Sequence, residues 1–195
     1  AQVQSDHLRF KSSQAALLDV LLDQQELARV DEPFDQARQR LRLFDKIKPQ
    51  HEADTFHGQL RGYQRDGLGW FEFLRWFGAG GILADDMGLG KTVQVLALLE
   101  SQRIEQSETG GQAQSNGRRP ALVVAPKSVV FNWKAEAARF TPQLRVLDHT
   151  GLDRCKDGSN FDEHDLIITT YGTLRRDAAM LKGRPFDYVI LDEAQ

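Results

Sequence analysis

The chain has 195 residues, 41% of them hydrophobic and 27% charged, which is room for one α/β domain with its own core and a small appendage but not for two such domains. A formal net charge of -3 excludes a globally basic nucleic-acid binder, so any contact with nucleic acid has to come from local patches. The N-terminus is polar and no run of about 18 apolar residues occurs, which excludes a signal peptide and a membrane-spanning helix in this stretch and leads to the expectation of a cytoplasmic protein with no membrane partner.

In chain order, Leu17, Leu18, Leu21 and Leu22 fall on one helical face, with Ser12 or Ser13 as the cap, and predict a first amphipathic helix over about residues 12–28. Asp31-Glu-Pro33 opens a second, in which Phe34, Ala37, Leu41 and Phe44 recur at spacings of three and four. Its Arg38, Arg40 and Arg42 lie on the other faces and read as a solvated side. Residues 1–56 are therefore expected to form a short N-terminal helical extension. Residues 48–58, with Pro49, two histidines and mixed charge, read as a linker or turn, and the main domain is expected to run from 57 to 195. His51-Glu52 begins like a zinc-protease helix, but Thr55 stands where the second histidine belongs, so no zinc is expected there. Residues 64–77 predict a helix dense in aromatics, Trp70, Phe71, Phe73, Trp76 and Phe77, whose rings are assigned to packing rather than base stacking.

Gly81-Ile-Leu-Ala-Asp-Asp-Met-Gly-Leu-Gly-Lys-Thr92 follows. Gly88 and Gly90 let consecutive backbone N–H groups turn onto a phosphate chain, Lys91 adds a point charge, and Thr92 offers a hydroxyl to Mg²⁺ at the start of a helix whose dipole faces the anion. A strict phosphate loop has glycine where Asp85 stands, yet the surroundings keep the required order: an apolar strand at 80–84, the glycine loop, Lys-Thr, and a helix from Thr92 to Glu100. Asp85 and Asp86 are expected to point away from the phosphates or toward a cation.

Residues 103–119, rich in Gly, Ser and Gln, predict a surface loop without order. Apolar runs at 121–125, 144–147, 165–169 and 188–191, with a helix over 129–140 between the first two, predict a parallel sheet covered on both faces. Ligands of such sheets sit at the carboxyl ends of strands. Cys155 is the single cysteine, too few for an internal disulfide or a Cys-rich metal site. Asp192 and Glu193 follow the last apolar run directly, as an acid pair opposite a phosphate loop would: Asp192 for the Mg²⁺ shell, Glu193 for orienting and deprotonating water. Gln64, at a helix start, has an amide able to pair with the N6 and N7 edge of adenine, or simply to face water.

Leu60-Arg-Gly-Tyr-Gln64, Ala84-Asp-Asp-Met-Gly-Leu-Gly-Lys-Thr92, Val123-Val-Ala-Pro-Lys-Ser-Val-Val-Phe-Asn-Trp133, Ile167-Ile-Thr-Thr-Tyr171 and Asp192-Glu-Ala-Gln195, taken together, resemble the first motor lobe of a SWI/SNF-type DNA-dependent ATPase of helicase superfamily two, bacterial in flavour. The resemblance covers residues 59–195 and implies an α/β, RecA-like P-loop NTPase lobe with a mainly parallel sheet flanked by helices. It makes residues 1–56 the tail of a preceding accessory region. ATP and Mg²⁺ are the implied cofactors, with Lys91, Asp192 and Glu193 catalytic, Arg61, Gln64, Met87, Gly88, Leu89, Gly90, Lys91 and Thr92 at the nucleotide, and Thr92 and Asp192 at the metal. Lys127, Ser128, Gly151, Arg154, Thr170 and Tyr171 match the positions that grip a double-stranded DNA backbone, Asn132 and Trp133 are assigned to packing, and Gln195 matches an interlobe coupling position. The implied partners are duplex DNA, a second RecA-like lobe that these residues do not contain, and a DNA-bound complex such as RNA polymerase.

The family usually has proline where Gly62 stands and histidine where Gln195 stands. Without the second lobe and its arginines, the 195 residues alone are expected to bind ATP weakly and hydrolyse it very slowly, and apolar surface is expected beside the acid-motif strand. An RNA helicase motor lobe and a non-catalytic nucleotide-binding scaffold are the rival readings.

Overall fold

The computed structural model describes residues 2–4, 7–9, 32, 35–36, 47–109 and 119–194. The helix expected over 12–28 lies outside the described residues; in the second expected helix Glu32, Asp35 and Gln36 are helical. The described residues divide into two compact units, one comprising the chain up to His51 together with Arg61–Leu89, the other Glu52–Leu60 with Gly90–Gln195.

In the first unit, β1 (Gln2–Gln4) and β2 (His7–Arg9) pair antiparallel with Val3 opposite Leu8. The helices expected in this extension begin at about residue 12; before them, Gln-Val-Gln and His-Leu-Arg each alternate with period two, as strands do. Helix α1 (Gly62–Phe77) begins after Arg61, whose backbone is extended and whose N–H donates to Gln64 Oε1 at 2.9 Å. It ends at Gly78, where φ is 72° and the N–H donates to the Arg75 carbonyl at 3.1 Å. Only glycine adopts that φ without strain. The aromatics of α1 stack largely on one another, Phe73 against Phe77 with ring centres 5.9 Å apart and Trp70 against Phe71 at 5.6 Å, and Trp76 remains 48% exposed. Gly69 allows the Lys48 carbonyl to approach so closely that a Cβ would overlap it.

The strand expected at 80–84 does not form. Residues 79–86 are irregular and Ile82 is 85% exposed. An extended segment is stable only with a neighbour to take its ladder hydrogen bonds, and among the described residues no strand pairs with it.

The second unit is built on a sheet in the order β4 (Val146–Asp148), β5 (Leu166–Thr170), β3 (Ala121–Ala125), β6 (Val189–Leu191), and every neighbouring pair is parallel. β3 and β5 lie in the middle and read as unbroken apolar runs because both faces are covered. Leu122, Val124 and Ile167 meet Phe161 and Leu181 on one face. Val123 and Ile168, one residue out of phase, are fully buried on the other. Helices α2 (Lys91–Thr109) and α3 (Val130–Phe140) pack beside each other, and α3 also packs on β5. α4 (Tyr171–Arg176) and α5 (Ala178–Lys182) follow β5. β6 is an edge strand with Val189 59% and Leu191 53% exposed, the apolar surface expected beside the acid motif.

Two boundaries move. α2 continues to Thr109, so residues 103–109 are helical rather than loop. Its extension contains neither Gly nor Pro and is laced by Arg103 to Glu100 at 2.7 Å and by Gln102 Nε2 to Glu105 at 3.2 Å; residues 110–118 lie outside the described ones. Glu52–Leu60, within the stretch read as a linker or turn, has turns and bends at 54–58 and belongs to the second unit. Phe56 and Leu60 are buried, Phe56 stacks on Phe140 with ring centres 5.8 Å apart, and Thr55 donates to the fully buried Glu100.

Candidate active site

The first unit carries Gln64 and the loop from Gly81 to Leu89. Gln64 is buried at 7% exposure, and both ends of its amide are engaged: Oε1 accepts from the Arg61 N–H, and Nε2 donates to the Leu89 carbonyl at 3.0 Å. Tyr63 Oη donates to the same carbonyl, also at 3.0 Å. Each amide end retains one further hydrogen-bonding position, since the oxygen has two lone pairs and the nitrogen two protons. Gln64 therefore ties the helix start to the phosphate-loop sequence, a role that sequence inspection did not assign. Met87 is 91% exposed, and Gly88 has φ 81°.

The second unit carries Gly90, with φ 75°, and Lys91 and Thr92 as the first residues of α2. Both loop glycines thus occupy the left-handed region that turns N–H groups inward, as their spacing predicts.

The parallel register of the sheet gathers the remaining residues. Ala125 pairs with Thr170, Val124 with Leu191, and Asp148 with Ile168, so the strands end together. Lys127 and Ser128 after β3, Gly151 and Arg154 after β4, Thr170 and Tyr171 at the end of β5, and Asp192 and Glu193 after β6 all come to this one edge. Lys127, Ser128 and Gly151 are exposed, and Gly151 has φ 74°. Thr170 caps α4 by accepting the Thr173 N–H at 3.1 Å.

Arg154 and Tyr171, also expected at DNA, are like Thr170 engaged within the protein. Arg154 forms a bidentate pair with Asp177, Nε to Oδ2 at 2.6 Å and Nη2 to Oδ1 at 2.7 Å, and donates through Nη1 to the Gly151 carbonyl at 2.6 Å. Its side chain is 6% exposed, so its guanidinium braces the loop after β4 instead of facing solvent. His149, fully buried and edge-on to Phe161, places Nε2 3.0 Å from Asp177 Oδ2. The Arg154 hydrogen bonds, followed by those of His149, outweigh burial and hold the Asp177 carboxyl down at about 2. The phenol of Tyr171 donates to the Asp192 carbonyl at 2.8 Å; burial first, then the charges of Asp192 and Glu193, raise its pKa.

Asp192 is held on three sides. Its N–H donates to the Val124 carbonyl at 2.9 Å, its carbonyl accepts from Tyr171, and its Oδ2 accepts from the indole Nε1 of Trp133 at 2.8 Å. Glu193 follows with φ 48°, a left-handed conformation uncommon outside glycine. Gln195 lies outside the described residues. Among the described residues no group of three or more His, Cys, Asp or Glu side chains is placed to hold a metal by itself. The oxygens of Thr92 and Asp192 are hard donors of the kind Mg²⁺ takes when phosphates supply the rest of its shell, and among the described residues no hydrogen bond uses Asp192 Oδ1.

A four-stranded parallel sheet with an acid pair at its carboxyl edge, and a helix opening on Gly-Lys-Thr, define an α/β lobe of the RecA-like kind. The chain belongs to the SNF2-related domain family, whose model matches residues 63–195. It is 38% identical over 172 residues to a Bacillus subtilis protein that carries the name of an ATP-dependent helicase/translocase, YwqA, covering 83% of this chain and 18% of that protein. It is 34% identical over 152 residues to the TATA-binding protein-associated factor MOT1 of Saccharomyces cerevisiae, covering 76% of this chain and 8% of MOT1. The fold matches the Sulfolobus solfataricus SWI2/SNF2 ATPase core in complex with dsDNA at a TM-score of 0.61 and 35% identity, over 76% of this chain and 28% of that one. The chain thus spans less than a fifth of the length of either curated relative.

Proposed function

We propose that the chain is the ATP-binding lobe of a DNA-stimulated ATPase that translocates on duplex DNA and displaces or remodels proteins bound there. The observation that carries this reading is the convergence, at the carboxyl edge of one sheet, of the acid pair with exposed Lys127 and Ser128, Gly151 and the Thr170 helix start. Single lysines, hydroxyls and helix-start amides suit phosphate contacts that position DNA without reading its sequence. Lys91 meets the β and γ phosphates, Arg61, Gln64 and residues 87–90 line the nucleotide, and Glu193 orients and deprotonates the attacking water. Thr92 and Asp192 hold Mg²⁺, which neutralises developing charge on the phosphates when bound. Arg154 serves DNA indirectly, by shaping the loop that presents Gly151. A second RecA-like lobe completes the site through Gln195, and DNA-bound complexes such as RNA polymerase are the clients, in the cytoplasm. The full-length protein, assayed for ATP hydrolysis with duplex DNA, RNA and no nucleic acid, is expected to respond to duplex DNA and to lose turnover in Lys91→Ala and Glu193→Gln. Stimulation by RNA in preference to DNA would favour an RNA motor; no turnover under any condition would favour a scaffold.

A further inference from the structure

We propose that Trp133 is a positioning residue for the carboxylate of Asp192, an inference that rests on the metal-holding role given to Asp192 above. Trp133 is 3% exposed, in the middle of the buried stripe Val130, Trp133, Ala137 of α3. A buried indole N–H needs an acceptor, and a main-chain carbonyl would satisfy it as well as any other. Here it is directed at Oδ2 of one acid, 2.8 Å away and 59 residues along the chain. The same acid has its N–H fixed on Val124 and its carbonyl fixed by Tyr171 Oη. Backbone and one carboxylate oxygen are thereby held, and among the described residues no hydrogen bond takes Oδ1. The indole also satisfies one lone pair of the half-buried Asp192 carboxylate. This is the arrangement by which an outer partner orients a metal ligand and tunes its affinity.

The test measures binding by the full-length protein, not turnover. N-methylanthraniloyl-ADP is held at fixed concentration while Mg²⁺ is titrated, and the Mg²⁺ midpoint for the gain in nucleotide affinity is read from fluorescence. Trp133→Phe keeps an aromatic ring and loses the N–H; its midpoint is expected to rise about 10- to 100-fold, with affinity in the absence of Mg²⁺ unchanged. In an Asp192→Asn background, Trp133→Phe is expected to add nothing, because the two changes act on one interaction. A folded Trp133→Phe protein with the wild-type midpoint would overturn the proposal, since a purely structural Trp133 predicts that result. Should Trp133→Phe fail to fold, the benzothiophene isostere of tryptophan at position 133 keeps ring shape and lacks only the N–H, and the same midpoint decides. Wild-type protein that binds the nucleotide without any response to Mg²⁺ would overturn the metal role of Asp192 and the proposal with it, an outcome distinct from a wild-type response that Trp133→Phe leaves intact.

Discussion

Gly62→Pro is expected to stabilise the protein. Gly62 is the first residue of α1, where a missing N–H removes no intrahelical bond and the fixed φ of proline matches the helix. The residue before a proline must be extended, and Arg61 already has φ -72° and ψ 160°. A Cβ built at Gly62 meets nothing within 4 Å. The native state therefore needs no adjustment, and the gain arises in the unfolded chain, whose freedom falls by about 0.4–1 kcal/mol. For a protein of this size that corresponds to a rise of about 1–4 °C in Tm. Urea unfolding followed by tryptophan fluorescence suits the assay, because Trp70 and Trp76 lie on α1 itself. The expected result is a higher midpoint with an unchanged slope. Arg61→Pro is the contrast: one position earlier, the N–H is bonded to Gln64 Oε1, and its removal should destabilise by about 1 kcal/mol. A midpoint for Gly62→Pro at or below wild type, or Arg61→Pro behaving like it, would refute the reasoning.

Asp177→Asn removes the charge that pairs Arg154 and faces His149 and should destabilise the protein near neutral pH, read as a lower urea midpoint. Because the Asp177 carboxyl is held at about 2, below the ordinary aspartate range, its stabilising contribution is complete above about pH 4 and fades as pH falls through 2. The gap between wild-type and variant urea midpoints should therefore stay constant from pH 7 to about 4 and narrow below that; a gap that widens in acid would contradict the pairing. Gly69→Ala forces a Cβ onto the Lys48 carbonyl, and thermal melts should show a loss of at least about 1–3 kcal/mol, as overpacking gives, despite alanine's better helix propensity.

Much of the fold was legible because burial leaves plain patterns. Residues 121–125 and 165–169 predict strands from short apolar runs, and strands over Ala121–Ala125 and Leu166–Thr170 are the two middle ones of the sheet. The 129–140 helix was expected between the first two runs, and Val130, Trp133 and Ala137 form its buried side. Gly88 and Gly90 were readable as left-handed turn residues because only glycine takes that φ cheaply. The apolar run at 80–84 misleads because it reports what the segment prefers to bury, whereas a strand also needs a neighbour. The limits of α2 and the inclusion of Glu52–Leu60 in the second unit escaped notice because polar residues such as Glu100, Arg103 and Thr55 settle them by specific pairing.

The sequence by itself determined the chemistry on offer: hydroxyls, carboxylates, lysines and glycines of the types that can meet a phosphate chain, a divalent cation or a nucleic-acid backbone, since that depends on side-chain type and short spacing alone. Tertiary structure decided which of those groups are free to act. Arg154 and Tyr171 stand in motif positions associated with DNA, yet a buried carboxylate and a main-chain carbonyl take their hydrogen bonds. Trp133, a packing residue by pattern, holds the acid that the motif brings to the site. Donors and acceptors from segments far apart in the chain meet only when strands of different register end at one edge, and no local pattern encodes that meeting.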